Sequence, residues 1–375
     1  MKPIEGLNDY SNTADMRNFI LEQLIYPLEA IGTELAIFLV YDRPNRSNER
    51  KGLTRSYFRE RCISNENLRQ MIDSFRLIGA YVELFNGEHE FINALSSGKI
   101  NSIRQKFKVA YNGIEGSIAH DGFMAGRKAL IPALSDAYDI FCANSSPYAC
   151  ALGRHKFHYL TILSKLNLPV PSTWHYHLDW GWAGGNMPPS GIKIIVKSTY
   201  ESWSVGVTEE SVFYVNGKTT ERVKAIAESI GQSVTVQEFI DGSEICIPVF
   251  TSPNPLATPP VKTILLKDPD NPKAFMTIDD NLKPDSINYQ IFDESSLSRK
   301  VQNLATRAFM GLELNGLARI DLRIDEQDNP FIFDVGVSPS LSEDESSFTS
   351  FSALNLNHKQ FLHAVIASSL TKYMP

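Results

Sequence analysis

Two aspartates, Asp321 and Asp334, flank a short polar turn in LARIDLRIDEQDNPFIFDVGVSPSLS, residues 317–342. Apolar and charged residues alternate over 317–325 and again over 330–335, the pattern of a half-buried β-hairpin with a Glu-Gln-Asp-Asn loop. A shared apolar face pairs Ile320 with Val335, Leu322 with Phe333 and Ile324 with Phe331, and it sets Arg319 against Gly336 and Asp321 against Asp334. Carboxylates directly opposite one another repel unless a cation lies between them, and oxygen ligands of this kind suit magnesium. Arg319 shares their face, where a guanidinium suits a developing oxyanion or a salt bridge to Asp321. The plainer alternative is a solvated face on which Arg319 and Arg323 balance both aspartates.

Other segments carry chemistry of their own. Lys197 ends the apolar run 192–197, and the loop TYESWSVG after it offers Ser202, Ser204 and backbone N–H groups, a set suited to phosphate oxygens. A solvent-reaching lysine at a strand end is the plainer reading. Gln237, Glu238, Phe239 and Ile240 lead through Asp-Gly to Glu244. A purine would lie on Phe239 and Ile240 with its polar edge on Gln237, although core packing explains both apolar side chains equally well. The segment 43–61 is basic and includes Arg43, Arg55 and Arg59, which suit either a solvated face or an anionic substrate. His155 and His158 lie one helical turn apart without acidic or cysteine partners nearby, and His175 and His177 sit in an aromatic-rich connection. No GxSxG nucleophile motif is present.

Positioning these residues takes a large scaffold. At 375 residues the chain exceeds what one core usually fills, so two or three subdomains are expected. Apolar content of 43% with 21% charged residues describes an ordinary globular protein, and a net charge of −7 argues against bulk nucleic-acid binding. No apolar run reaches membrane-span length and the N-terminus lacks a leader pattern, so a cytoplasmic protein without a membrane partner is expected. The cysteines, Cys62, Cys142, Cys150 and Cys246, have no metal spacing and read as reduced thiols.

Apolar spacing predicts a helix over 14–31 that Pro27 ends or kinks, a buried strand over 34–41, a helix over 65–77, and strands over 80–85 and 107–112. That order suggests an open α/β layer with parallel strands. Further on, the pattern predicts a helix over 150–168, strands over 192–197 and 234–240, a return strand at 205–208 and a helix over 221–230. Residues 251–260 read as proline-rich loop, 267–290 as turn-rich, and 297–312 and 358–370 as helices.

The order of these segments resembles the ATP-grasp superfamily, and within it the D-alanine–D-alanine ligase-like branch, from about Tyr111 to Leu341. NGIEGSIAHDG resembles, with an insertion, the loop joining the first two domains, and LGRHKFHYLTILSKLNLPVPSTW the helix with the first nucleotide-binding lysine, here Lys156. IIVKSTYESWSVGV resembles the strand of the second lysine, Lys197, and the phosphate loop with Ser202 and Ser204. VQEFIDGSEICI resembles the adenine hinge, with Glu244 at the ribose position, and the Asp321/Asp334 hairpin resembles the metal hairpin with its arginine, Arg319.

The resemblance implies ATP and magnesium as cofactors and an α/β ATP-grasp fold, with an N-terminal open parallel α/β layer and two α+β lobes clamping the nucleotide. Its expected domains are 1–153, 154–240 and 241–375. The implied activity is joining a small-molecule carboxylate to an amine through an acyl phosphate. The acyl substrate is expected between the N-terminal layer and Arg319, with Arg43, Arg55, Arg59, Ser338 and Ser340 as candidate contacts. The chain departs from the branch in carrying Asp334 and Gly336 where glutamate and asparagine are usual, Trp203 in the phosphate loop, and Tyr41-Asp42-Arg43-Pro44 in place of a glycine-rich loop. The alternative to a ligase is a degenerate nucleotide-binding module with a regulatory or scaffold role. A homodimer is kept open.

Overall fold

The computed structural model describes residues 12–42, 63–115, 125–269, 271, 274–283, 285–371 and 374. Arg43, Arg55 and Arg59 lie outside them. The first sheet contains β1 (Leu35–Tyr41), β2 (Tyr81–Asn86), β3 (Phe107–Asn112) and β4 (Phe141–Cys142) in the order β2-β1-β3-β4, every pair parallel. All seven residues of LAIFLVY are buried, because both faces of β1 are covered. Leu35, Ile37 and Leu39 meet the N-terminal helix and the C-terminal helix His358–Ala367, while Ala36, Phe38 and Val40 meet Phe91 and Ile131 on the other face. Helix Thr13–Ile20 does not end before Pro27. It widens into a π turn over Leu21–Ile25 and resumes over Tyr26–Ala30, which accommodates the missing proline N–H.

The second sheet is antiparallel and holds β5 (Thr173–His177), β6 (Gly181–Trp182), β7 (Lys193–Ser198), β8 (Val212–Tyr214) and β9 (Val234–Glu238) in the order β6-β5-β9-β7-β8. The helix Thr219–Ile230 covers it with Val223, Ala227 and Ile230. The third sheet, also antiparallel, runs β13-β12-β10-β14-β15 through β10 (Ser243–Ser252), β12 (Val261–Leu265), β13 (Ile287–Ile291), β14 (Leu317–Ile324) and β15 (Pro330–Gly336), with β11 (Asn254–Ala257) on β10. Helix Ser295–Gly311 packs on it through Val301, Ala305 and Ala308. No helix among the described residues is long and apolar enough to cross a membrane.

Several elements differ from the sequence pattern. The expected return strand at 205–208 is a turn running into irregular backbone, and β8 forms later, at 212–214. The aromatic-rich connection is β5, hidden because its alternation mixes Trp, His and Tyr. The helix expected over 150–168 is broken into Pro147–Leu152 and Lys156–Lys165, which puts His155 at a cap and Lys156 at a helix start. The proline-rich segment contains β11, whose Pro255 sits in a strand paired on β10. The hairpin keeps the expected pairs Arg319–Gly336, Ile320–Val335 and Asp321–Asp334, then a bulge shifts the register. Leu322 faces Ile332 and Ile324 faces Pro330, not Phe333 and Phe331. The shift sends Ile332 into the core and leaves Phe333 beside Asp334 on the cavity wall.

Candidate active site

A cavity of about 500 Å³ lies between the two antiparallel sheets, and every candidate residue among the described ones, from Lys156 to Ser340, borders it. At its charged centre Asp321 faces Asp334 across the strand pair. Arg319 grips Asp321 with Nε on Oδ1 and a terminal nitrogen on Oδ2, both at 2.8 Å, and its other terminal nitrogen donates to Ser346 at 3.3 Å. Asp334 accepts from the Tyr159 hydroxyl at 2.5 Å and from the Val335 N–H at 2.9 Å. Burial lifts the Asp321 carboxyl above its usual range, with Arg319 opposing and Asp334 adding to the rise. Burial acts on Asp334 as well, yet Lys156 and Lys197 hold it below its ordinary value.

Among the described residues no group of three or more His, Cys, Asp or Glu is arranged to hold a metal alone. Magnesium does not require such a cage: one or two carboxylates suffice when phosphate oxygens and water complete the shell. The Asp321–Asp334 pair fits that pattern. Gly336 adds no side-chain oxygen to it, and a Cβ there would meet nothing closer than 3.6 Å.

Lys156 and Lys197 reach the cavity from the helix start and the end of β7, on the same cavity as Glu244. Burial depresses the Lys197 ammonium to about 8, Asp334 and Glu244 opposing the drop and Lys156 and Arg323 adding to it. The loop Thr199–Gly206 is tied down on several sides. Lys156 Nζ donates to the Glu201 carbonyl, and the Glu201 carboxylate, itself buried, meets Arg127 at 2.7 Å and Arg154 at 3.8 Å. The loop then turns through Trp203 at φ 60° and Ser204 at φ 53°, left-handed conformations that cost free energy outside glycine. Ser204 Oγ accepts from Asn281 at 3.0 Å, which helps hold that turn.

At the far side the chain leaves β9 through Phe239–Asp241. Gln237 spends its amide on the Phe333 carbonyl at 3.2 Å, and the Phe239 ring already lies under Lys193 Nζ at 4.4 Å and the Arg323 guanidinium at 4.8 Å. Ile195, Val207 and Phe239 form a small apolar wall, with Phe275 against it. The Asp-Gly turn is sterically exacting. A Cβ on Gly242, at φ +157°, would stand 1.9 Å from the Ile324 carbonyl oxygen, and Arg323 donates to the Gly242 carbonyl at 2.8 Å.

The family model "D-ala D-ala ligase C-terminus" matches residues 189–367, a span that includes the phosphate loop, the hinge and the hairpin. The D-alanine–D-alanine ligase of Desulforudis audaxviator is 24% identical over 63% of this chain and 72% of its own length, and that of Methylococcus capsulatus 23% over 76% and 84%. The crystal structure of the Bacillus anthracis D-alanine–D-alanine ligase complexed with ATP superposes with a TM-score of 0.63 at 14% identity, covering 89% of this chain and 97% of that one. The VanG D-Ala:D-Ser ligase from Enterococcus faecalis gives 0.61 at 12%, covering 89% and 99%. The chain has the ATP-grasp fold of these ligases, and just under half of it matches their C-terminal family model.

In this fold the cavity also uses residues that the sequence pattern does not reveal. Glu115, Lys128 and Arg154 border it, with Lys128 and Arg154 each 3.2 Å from Glu115, and Arg127 anchors Glu201 from behind. Charged residues of this kind look like surface positions until their partners are known, and for Arg154 and Arg127 those lie 39 and 74 positions away along the chain. Tyr159 reads in sequence as a helical core residue, and its bond to Asp334 spans 175 positions. Three histidines outside the cavity cluster: His155 and His158 stack 3.5 Å apart between ring centroids, and His175 lies tilted 5.4 Å from His155. Burial and mutual repulsion push His155 down to about 3 and His175 to about 4, as expected for neutral packed rings.

Proposed function

We propose that this chain is an ATP-dependent ligase that joins a carboxylate to an amine, giving a dipeptide or another small amide. The observation that carries this reading is the meeting of two lysines, Lys156 and Lys197, with the Asp321–Asp334 pair and Arg319 around one cavity. Likeness to D-alanine–D-alanine ligases supports the reading at family level.

In this reading the nucleotide base lies against Ile195, Val207, Phe239 and Phe275, with the backbone of Glu238 to Ile240 at its polar edge and Glu244 toward the ribose. The side chains of Gln237 and Phe239 shape the hinge, since their amide and ring are already engaged. Lys156, Lys197 and the loop with Ser202 and Ser204 take the phosphates. Asp321 and Asp334 would hold magnesium, which supplies charge neutralisation on the phosphoryl oxygens. A carboxylate oxygen of the donor attacks the γ-phosphorus and the bond to the β–γ bridging oxygen breaks, leaving ADP and an acyl phosphate. The amine nitrogen attacks the acyl carbon, the bond from that carbon to the phosphate oxygen breaks, and the nitrogen gives up a proton. Arg319 faces the charge that develops on the acyl oxygen.

The test is ADP and phosphate release with magnesium across a matrix of carboxylates and amines, with product mass measured. Release that requires both substrates, with one amide formed per ADP, is the expected result. Nucleotide binding without release in any combination would favour a module that binds nucleotide without ligation.

A further inference from the structure

Beyond Arg319 the described wall of the cavity is acidic. Asp344 and Glu345 border it, next to Ser338–Ser340. Glu345 directly precedes the helix Ser346–Ser352, where a polar side chain ordinarily turns back to accept a helix N–H, but it makes no such bond. The hydroxyls of Tyr289 and Ser340 lie on its side of the cavity and favour its charged form. Arg319, whose charge reaches Glu345, is committed to Asp321 through two nitrogens and to Ser346 through the third. Burial lifts the proton affinity of Glu345, Arg319 lowers it, and the neighbouring Asp344 lifts it again. Among the described residues the positive charge that reaches this carboxylate is that of Arg319, already engaged by Asp321 and Ser346, so a substrate cation can meet the rest of its electrostatic demand.

We propose that Glu345 binds a cationic group of the amine substrate, so that the acceptor carries a second positive charge where an amino acid would carry its carboxylate. The inference rests on the ligase reading above. The acyl donor presents an anionic carboxylate, which Asp344 and Glu345 repel, so the substrate lying against them is the acceptor. Its reacting nitrogen must lose a proton to attack, so the charge that stays on Glu345 belongs to another nitrogen. An ammonium on a half-buried carboxylate makes a charge-assisted hydrogen bond, stronger than one between neutral groups. An α- or ω-carboxylate at the same place would meet like charge. An anionic substrate, one of the two readings of the basic segment 43–61, would then be the acyl donor and not the acceptor.

Calorimetry on the intact chain with ADP and magnesium compares short α,ω-diaminoalkanes, such as 1,4-diaminobutane, with ω-amino acids of equal length, such as 4-aminobutanoate. The diamine series is expected to bind at least about tenfold more tightly, the usual scale for a hydrogen bond to a charged group. The Glu345→Gln variant, equal in shape, should lose that preference. Equal or tighter binding of the amino acids, no binding of either series, or an unchanged preference in Glu345→Gln overturns the proposal. The parent protein alone decides the matter if the variant does not fold. A second arm separates the two readings: hydroxylamine, small enough to need no acceptor pocket, traps an acyl phosphate as a hydroxamate. Hydroxamate without diamine preference removes the Glu345 assignment alone. Diamine preference without hydroxamate across the carboxylate panel removes the ligase reading and the proposal with it.

Discussion

Arg319 and Asp321 form a two-pronged pair, Nε to Oδ1 and a terminal nitrogen to Oδ2 at 2.8 Å each, on one face of a single strand. The pair fixes the guanidinium plane and lends Asp321 a compensating charge in a buried site. Both functions proposed for the hairpin therefore depend on one contact. Arg319→Lys keeps the charge but loses the planar fork. It is expected to lower turnover by about a hundredfold, the scale for removing one oxyanion donor. Nucleotide affinity should change little. Steady-state kinetics beside equilibrium ATP binding distinguish this outcome from general damage to the site.

Asp321→Asn removes a carboxylate and leaves its shape. Magnesium-dependent ADP release should fall to background, while the fold survives because the amide still accepts from Arg319. Circular dichroism and the melting temperature check the fold, and a magnesium titration of residual activity checks the role. Wild-type activity in Asp321→Asn would remove the metal assignment for the whole hairpin.

The hinge offers a test of packing. At Gly242 even a methyl group would collide with the Ile324 carbonyl, and the φ of +157° suits glycine. Gly242→Ala is expected to cost about 3 kcal/mol, the upper range for a strained backbone position, read as a lower urea midpoint. An unchanged midpoint would mean that the turn can move away from β14.

The parts of this fold legible in sequence are those whose patterns are local. LAIFLVY reads as a buried strand because both faces are covered, and the aspartate pair reads from alternation that fixes side-chain direction within a few residues. The bulge after Asp321 was not legible, because it is settled by where Ile332 and Phe333 find space, not by propensity. The buried charges Arg127, Arg154 and Glu201, with half-buried Glu115, were missed for a related reason. A charged residue becomes a core residue only through its partner, and those partners are distant in sequence.

The histidine cluster should make the protein acid-sensitive. An unfolded histidine titrates at its ordinary 6.5, whereas burial holds His155 at about 3 and His175 at about 4. Between those limits the unfolded chain takes up protons that the folded chain refuses, so stability falls as pH drops from 6.5 toward 3. His155→Asn, which keeps an acceptor for the His158 N–H, should flatten the fall in melting temperature between neutral pH and pH of about 4.5. An identical slope in the variant would assign acid sensitivity elsewhere.

Lys197 gives the opposite kind of pH dependence, and it separates binding from stability. Its ammonium, ordinarily near 10.5, is depressed to about 8 by burial. Below 8 it is charged and available to phosphate, so ATP affinity should decline as pH rises through 8. Folding responds with the other sign. From 8 to 10.5 the unfolded lysine keeps a proton that the folded one has released, so its contribution to stability of the nucleotide-free protein grows with pH. Lys197→Arg remains charged throughout this range and should bind ATP with a flat profile. Lys197→Met should bind ATP weakly at every pH and, without nucleotide, melt higher than the parent near neutrality, because a buried charge is gone. Equilibrium ATP binding and thermal melts over pH 7 to about 10 measure both signs on the same samples. ATP affinity that is unchanged in Lys197→Met would remove Lys197 from the phosphate site whatever the melts show.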